Sequence, residues 1–396
     1  MSEVKDEYKN VAIFGQGYVG LPLSLSFALR GCNVYGVDVV EKLVNEINNG
    51  ITYHTEKFED KGIREILNDE LKNKRYRATL DFNEAMDVCN NIIVTVGIPI
   101  KNGEYELSDL LDCCRKIGKK LKKGDLIVIR STVIPGTTEE IILPALEEES
   151  HMKAGKDFFL AYSSERIAEG KAFEEFAYMP TVVAGINSES AKRAKELLSV
   201  VCKTEIITAS CIKVVETSKV FENVQRDVNI AMVQEFARFC EAIGIDTFEV
   251  VNVANTHKRV KLLTPGPGVG GYCIPNAYYY IEPKAKEAGV SLDILKLCRH
   301  KNEMLPETIV DMLDGQAKSA GKELKNMKVG ILGIAMKDYS NDDRISPPIE
   351  IAKILKERCL KVEAYDPVVP SKYDFKVNSL KQAVSDKDAV MILAKQ

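Results

Sequence analysis

Apolar runs that stop at glycine or at an acid alternate with amphipathic stretches from residue 11 onward. Residues 11–14, Val-Ala-Ile-Phe, form an apolar strand that breaks into Gly15-Gln16-Gly17-Tyr18-Val19-Gly20, continues as a helical stretch over 23–29, and returns after Gly31 as a strand over 34–38. That succession predicts a βαβ unit. Further apolar runs at 91–96, 126–130 and 158–162, with helical patterns between them, predict a doubly wound parallel sheet. The loops that leave these strands, at 96–99, 131–136 and 164–170, should line the crevice where such sheets bind their ligands.

Near Lys213 the pattern changes to one long helix. Phe221, Val224, Val228 and Ala231 recur at spacings of 3, 4 and 3 and are expected to form its buried stripe. Lys219 and Asn223, four residues apart, project side by side, which alone describes an ordinary solvated face. A glycine- and proline-rich stretch, 263–275, then carries a single cysteine, Cys273. So many glycines and prolines make neither helix nor strand, so this is a shaped loop that brings backbone close to something. A lone cysteine is most often a buried, inert thiol. The open backbone donors around this one make a nucleophile an equally good reading.

Beyond the loop the opening motif returns in altered form. Residues 328–333, Lys-Val-Gly-Ile-Leu-Gly, again run as a strand into glycine, and 362–366, Val-Glu-Ala-Tyr-Asp, again end in an acid. The first repeat separates Val11 from Asp38 by 27 positions and the second separates Val329 from Asp366 by 37, the excess matching a polar loop at 337–348. Gly330 and Gly333 are followed by Ala335, so the full glycine set of a dinucleotide site is missing. A mononucleotide held by Lys337 and Arg344 is expected there instead. The fold class that follows is α/β, with two Rossmann-like parallel-sheet domains joined by a central helical region with a long helix. The domains are placed at 1–212, 213–322 and 323–396, the last expected to be C-terminally short because a strand at 390–394 is its final element.

Composition narrows the function classes. The chain has 396 residues, 45% hydrophobic and 28% charged, as ordinary globular domains do. A net charge of −4 leaves no basic excess to attract nucleic acid. The first residues are polar and no apolar run approaches the roughly 18 residues of a membrane span, so no membrane partner and a cytoplasmic location are expected. Ten scattered cysteines read as free thiols, and four histidines far apart give no metal-ligand spacing, so no metal site is expected.

The first repeat carries the chemistry of a dinucleotide site. Gly15 allows the tight turn, Gly17 lets backbone N–H groups approach a pyrophosphate, and Gly20 permits close packing of helix on strand. Asp38, ending the second strand, would accept hydrogen bonds from the adenosine ribose and repel a 2′-phosphate, which favours NAD over NADP.

Taken together the motifs resemble those of the nucleotide-sugar dehydrogenases, the UDP-glucose/GDP-mannose dehydrogenase family. They are Gly15-Gln-Gly-Tyr-Val-Gly20, Ser131-Thr-Val-Ile-Pro-Gly136, Glu216-Thr-Ser-Lys219 with Asn223, Pro265-Gly-Pro-Gly-Val-Gly-Gly-Tyr-Cys273, and Gly333-Ile-Ala-Met-Lys337 through Ser346-Pro347, in order over nearly the whole chain. Ser164-Glu-Arg-Ile with Gly170-Lys171, Arg226-Asp-Val-Asn-Ile-Ala231 and His257-Lys-Arg-Val260 are most similar to the UDP-N-acetyl-D-mannosamine dehydrogenase branch.

The resemblance implies oxidation of the C6 alcohol of a UDP-sugar to a carboxylate with two NAD+. Cys273 would add to the intermediate aldehyde, giving a thiohemiacetal and then a thioester. Lys219 and Asn223 would stabilise the oxyanions, and Thr132 and Glu165 would hold or activate water. Tyr18, Val19 and Thr132 are expected beside NAD. Glu165, Arg166, Lys219, Asn223, Gly270, Lys337 and Arg344 are expected on the substrate, with Arg259 reaching the sugar nucleotide of a neighbouring subunit in a homodimer.

Two positions depart from the family pattern. The family usually has Asp four residues after the catalytic Cys; here Ala277 stands there, preceded by Asn276, which can orient water but cannot take its proton. Thioester hydrolysis is the step this touches, and the alternatives it raises are a two-electron UDP-sugar oxidoreductase or a 6-dehydrogenase of another UDP-hexose. Ile98 occupies a position where Thr is common before Pro99, with a modest effect expected on the cofactor pocket.

Overall fold

The computed structural model describes residues 4–101, 104–168 and 170–396. They form two compact units, one built from 1–220 with 279–284 and the other from 221–278 with 285–396.

The first unit is organised on one sheet of β1 (Asn10–Phe14), β2 (Asn33–Val37), β3 (Tyr76–Thr79), β4 (Asn91–Val94), β5 (Leu126–Ile129), β6 (Phe159–Ser163), β7 (Thr181–Gly185) and β8 (Ile206–Thr208). Their order is β8-β7-β6-β5-β4-β1-β2-β3. Every neighbouring pair is parallel except β6 with β7. Strands covered by helices on both faces must be apolar throughout, and β4 and β5 are buried at every position. From β1 the chain builds outward through β2 and β3, then restarts at β4 on the other side. The switch point therefore lies at the C-terminal ends of β1 and β4, where such sheets bind ligands.

Helix α1 (Gly20–Ala28) begins three residues before the expected helical stretch and is buried at every position. It can start at Gly20 because a Cβ there would stand 1.7 Å from the Gly15 carbonyl oxygen; only glycine lets the helix meet the turn. Its two serines are satisfied internally, Ser24 Oγ on Gln16 Oε1 at 3.1 Å and Ser26 Oγ on the Pro22 carbonyl at 2.8 Å. Helices α2 (Glu41–Asn48) and α3 (Ile63–Lys72) follow β2, each burying an apolar stripe that includes Val44 and Ile47 or Ile63, Ile66 and Leu67.

Helix α4 (Ile212–Ile243) runs from the first unit into the second. Its expected stripe is corrected: Phe221 is 57% exposed and Val228 only partly buried, and between 219 and 231 the buried positions are Lys219, Val220, Asn223, Val224, Asp227 and Ala231. The face is rotated because it takes in an acid. Asp227 Oδ1 accepts Arg299 Nη1 at 2.9 Å and Asn302 Nδ2 at 2.7 Å, so a buried charge is paired where apolar spacing would place only hydrophobes. Burial raises the Asp227 pKa, and Arg299 pulls against it.

In the second unit, α5 (Thr247–Ala254), α6 (Ala277–Glu287, whose middle residues belong to the first unit), α7 (Asp293–Glu303) and α8 (Leu305–Ser319) precede a second sheet. It consists of β9 (Lys328–Leu332), β10 (Lys361–Tyr365) and β11 (Ala389–Ile392) in the order β10-β9-β11, all parallel. Val329 and Ile331 of β9 pack with Ile351, Ala352 and Leu355 of α9 (Pro347–Arg358) and with Val310 and Ala317 of α8. The altered repeat of the sequence is thus a small α/β sheet of its own.

Candidate active site

The glycine turn after β1 is closed where the fold needs it and open where a ligand would enter. Gly15 adopts φ +91°, donates its N–H to the Val37 carbonyl at 2.8 Å, and leaves no room for a Cβ against the Thr95 backbone. Around Gly17, by contrast, a Cβ would meet nothing within 4 Å. Gln16 is wholly buried and stitches the turn: its Nε2 donates to the Ile13 carbonyl at 2.8 Å and its Oε1 accepts from Tyr76 Oη at 2.8 Å. At the end of β2, Asp38 accepts the Gln16 N–H at 2.7 Å and the Val40 N–H at 3.0 Å while its carboxylate stays partly exposed. An open turn at a helix N-terminus beside an accessible acid fits NAD, the turn taking the diphosphate and Asp38 a ribose. Tyr18 and Val19 lie within the same turn, both partly buried.

Beyond β5 and β6 the first unit holds a polar network. Arg130 closes on Glu165 through Nη2 at 2.6 Å and Nε at 3.2 Å, both to Oε2. The other oxygen accepts the N–H groups of Arg166 at 2.7 Å and Ile167 at 2.9 Å. Glu165 is therefore a buried, fixed acceptor that shapes the start of its own loop. Arg166 donates from Nη1 to the Pro180 carbonyl at 2.9 Å. Thr132, partly buried, follows Ser131, whose Oγ donates to the Val96 carbonyl at 2.6 Å. Glu216, fully buried in α4, accepts the N–H groups of Gly136 at 2.5 Å and Thr138 at 2.9 Å, tying the 131–138 loop to the helix that carries Lys219. Burial raises the Glu216 pKa while these donors lower it. Lys219 and Asn223 are both buried, on successive turns of α4.

The second unit holds the cysteine loop at three points. Asn255 receives the Leu262 N–H at 2.7 Å and donates to the Leu262 carbonyl at 3.0 Å. Gln234 Nε2 donates to the Gly266 carbonyl at 2.7 Å, and the Gly271 N–H donates to the Arg344 carbonyl at 2.9 Å. A Cβ on Gly268 would stand 2.8 Å from Pro347 and one on Gly270 2.6 Å from Met336, so the glycines let this loop lie directly on the loop that follows β9. Of the ten cysteines, five are buried and four partly buried; Cys273 alone is exposed.

Arg344, expected on the substrate, is paired within its own loop. Its Nε and Nη2 reach the two oxygens of Asp342 at 2.8 and 2.6 Å, and its guanidinium lies 5.3 Å from the centre of the Tyr272 ring, beside the cysteine. That geometry anchors the cysteine loop. Lys337 and Arg259 are exposed, the latter in the turn after α5. Asn276 and Ala277, at the start of α6, are buried.

Of the expected site residues, the first unit gathers Gly15, Gly17, Tyr18, Val19, Gly20, Asp38, Thr132, Glu165, Arg166 and Lys219, and the second gathers Asn223, Arg259, Gly270, Cys273, Lys337 and Arg344. Sequence reasoning missed Arg130, Gln234, Asn255 and Asp342. Arg130, a charge closing the apolar run 126–130, was the visible signal among them; the others are polar residues in ordinary helical or loop context.

A dinucleotide turn on a switch-point sheet, a second nucleotide-type sheet and an exposed thiol on a glycine loop define an NAD-dependent dehydrogenase acting on a nucleotide-linked substrate. Residues 9–204 match the NAD binding domain of the UDP-glucose/GDP-mannose dehydrogenase family, 213–304 its central domain and 330–396 its UDP binding domain. The UDP-N-acetyl-D-mannosamine dehydrogenase of Pyrococcus horikoshii is 32% identical over 383 residues, 96% of this chain and 88% of the relative. The UDP-N-acetyl-D-glucosamine 6-dehydrogenase of Salmonella typhi is 33% identical over 92% of this chain and 83% of its own length. The structure of the Pyrococcus horikoshii UDP-D-ManNAc dehydrogenase superposes with a TM-score of 0.90 at 31% identity, covering 97% of this chain and 89% of that one. The chain belongs to the UDP-glucose/GDP-mannose dehydrogenase family, and it is an NAD-dependent UDP-sugar dehydrogenase. Among the described residues no helix is long and apolar enough to cross a membrane.

Proposed function

We propose that the protein oxidises the C6 alcohol of UDP-N-acetyl-D-mannosamine to the uronate through a covalent intermediate on Cys273. The observation that carries this is the exposed Cys273 thiol, on a loop fixed by hydrogen bonds within the same unit as the UDP-binding sheet. The choice of sugar rests on the mannosamine-specific relatives, matched over nearly the whole chain.

NAD+, when bound, supplies the hydride acceptor; the protein supplies everything else. The aldehyde left by the first oxidation lacks a carbinol C–H. Addition of Cys273 Sγ to its carbonyl carbon restores one as a thiohemiacetal, and oxidation of that adduct leaves a thioester. Water then attacks the thioester carbonyl, the C–S bond breaks, and the thiol and a carboxylate are released. Lys219 and Asn223 offer an ammonium and an amide donor to the successive oxyanions. Thr132 positions water, and Glu165, held by Arg130, orients the loop that receives the sugar. With Ala277 in place of a carboxylate, hydrolysis draws on water oriented by Asn276. That substitution is also what favours the second reading, an enzyme that stops after two electrons.

The same proposal includes a homodimer in the cytoplasm. Phe236, Phe239 and Ile243 of α4, with Phe248 and Val253 of α5, are exposed and apolar, the composition of a surface that a second copy covers. A monomer in sedimentation at micromolar concentration would contradict the dimer. The substrate assignment is tested by kcat/KM with UDP-N-acetylmannosamine, UDP-N-acetylglucosamine and UDP-glucose. The mannosamine nucleotide should lead by at least about tenfold; equal or reversed preference overturns it.

A further inference from the structure

Residues 51–57, between α2 and α3, carry an inverted pattern. Thr52, His54 and Glu56 are 4%, 5% and 1% exposed, while the apolar Ile51 before them and Tyr53 among them are 54% and 43% exposed. Burial alternates residue by residue from Ile51 to Lys57, so one placement of the segment set both. Burying the polar set and exposing the apolar one costs free energy twice over, and the buried groups point to a task.

They reach the glycine turn and Gly170. The Tyr53 ring stacks on His54 with centroids 4.3 Å apart, and Tyr18 of the glycine turn stands 5.0 Å from Tyr53 and 5.8 Å from His54. Glu56 Oε1 accepts the Gly170 N–H at 3.2 Å. His54 Nδ1 pairs with Thr52 Oγ1 at 2.6 Å. Two buried atoms, His54 Nε2 and Glu56 Oε2, have no hydrogen-bond partner among the described residues.

We infer that His54 is a residue of the cofactor site that takes up a proton when the diphosphate of the dinucleotide settles on the glycine turn. Without cofactor, burial pushes the imidazole pKa below its ordinary value, while the Glu56 carboxylate and the Gly17 carbonyl pull it back up. The charged and titratable groups packed around it are Glu56 on its own segment, Tyr53 beside it, Tyr18 on the glycine turn, and Arg64 of α3, whose Nε donates to the Thr52 carbonyl at 3.0 Å. The diphosphate adds two negative charges at the turn that holds Gly17, and nearby anions favour the imidazolium. The proton comes from solvent and no other covalent bond changes. Both ring nitrogens then donate, Nδ1–H to Thr52 Oγ1 and Nε2–H toward the Gly17 carbonyl, bracing the turn against the ligand. Linkage fixes the sign: cofactor affinity rises as pH falls through the interval between the ring's free and bound pKa values, by at most about tenfold per pH unit.

The test is calorimetric titration of NAD+ into the full chain in two buffers of different ionisation enthalpy, which counts protons taken up, repeated from pH 8 to pH 5.5. Wild type should take up a substantial fraction of one proton per site and bind NAD+ more tightly at the lower pH; His54→Gln should take up none and show a flat affinity profile. Absence of uptake in wild type, or unchanged uptake in the variant, overturns the inference. Should His54→Gln fail to fold, the ring can be followed directly in wild type, because the chain has four histidines and the other three, His151, His257 and His300, are exposed. Labelled-histidine spectra should then show one imidazole whose pKa rises on adding NAD+, and four unmoved imidazoles would refute the assignment.

Discussion

The two nucleotide sheets place an aspartate at the same point, the end of the second strand, and use it in opposite ways. Asp38 accepts two backbone N–H groups and remains partly exposed. Asp366 is buried and accepts five donors, the N–H groups of Ile334, Ala335, Val368 and Val369 and the side chain of Gln396. The turns differ likewise: a Cβ on Gly17 would meet open space, whereas Ala335, at the corresponding place in the second repeat, is fully buried. One strand–turn–strand pattern thus leaves its acid open to a ligand where lone pairs are left over and makes the acid an internal staple where they are not. Motif matching alone does not separate the two; the count of donors around the acid does.

Substitutions in the two turns and at the two acids sharpen this contrast. Gly17→Val should weaken NAD+ binding by about a hundredfold, near 2.7 kcal/mol, and leave the melting temperature unchanged, because nothing in the protein fills that space. Gly333→Ala should do the reverse, lowering stability by about 2–4 kcal/mol with NAD+ affinity intact, since it combines φ +81° with a backbone clash. Denaturant unfolding and NAD+ titration of both variants check the pair, and a stability loss in the first would break the contrast. At the acids, Asp366→Asn should cost about 1–3 kcal/mol of stability by leaving donors unmatched. Asp38→Ala should cost about tenfold in NAD+ affinity and narrow the preference over NADP+.

Asp125, which precedes β5, gives an effect of a different sign. It is fully buried with Oδ2 on the Lys122 N–H and Oδ1 unpartnered among the described residues, and burial raises its pKa to about 6. The native state then binds more protons than the unfolded chain between about pH 4 and 6, so stability falls as pH rises through that window and stays lower above it. Asp125→Asn keeps the acceptor for Lys122. It should raise stability above pH 6 by no more than about 3 kcal/mol and change little at pH 4. Denaturant midpoints at the two pH values would show it, and an equal gain at both would contradict the assignment to ionisation.

The strands, the glycine turn and Asp38 were legible in the sequence because each depends on local pattern: apolar runs, φ-permissive glycines, an acid at fixed spacing. The altered second repeat was legible for the same reason. Phe221 misled because the spacing rule counts hydrophobes and the true face of α4 centres on Asp227, paired with a residue 72 positions away. Arg344 was expected on the nucleotide, and its pairing with Asp342 was not legible because that residue looked like one more acid in a polar loop. Arg130 with Glu165, and Gln234 with Gly266, are long-range pairs that no local pattern announces. His54 escaped notice since a lone histidine carries no signal until the burial of its neighbours shows the inverted segment.

The central claim is a four-electron oxidation through Cys273. It is tested most directly by the NADH released per sugar with UDP-N-acetyl-D-mannosamine limiting, in wild type and in Cys273→Ala. The account predicts two NADH per sugar in wild type and a loss of steady turnover beyond about a thousandfold in the variant. One NADH per sugar, or a single burst that leaves an adduct on Cys273, would contradict it.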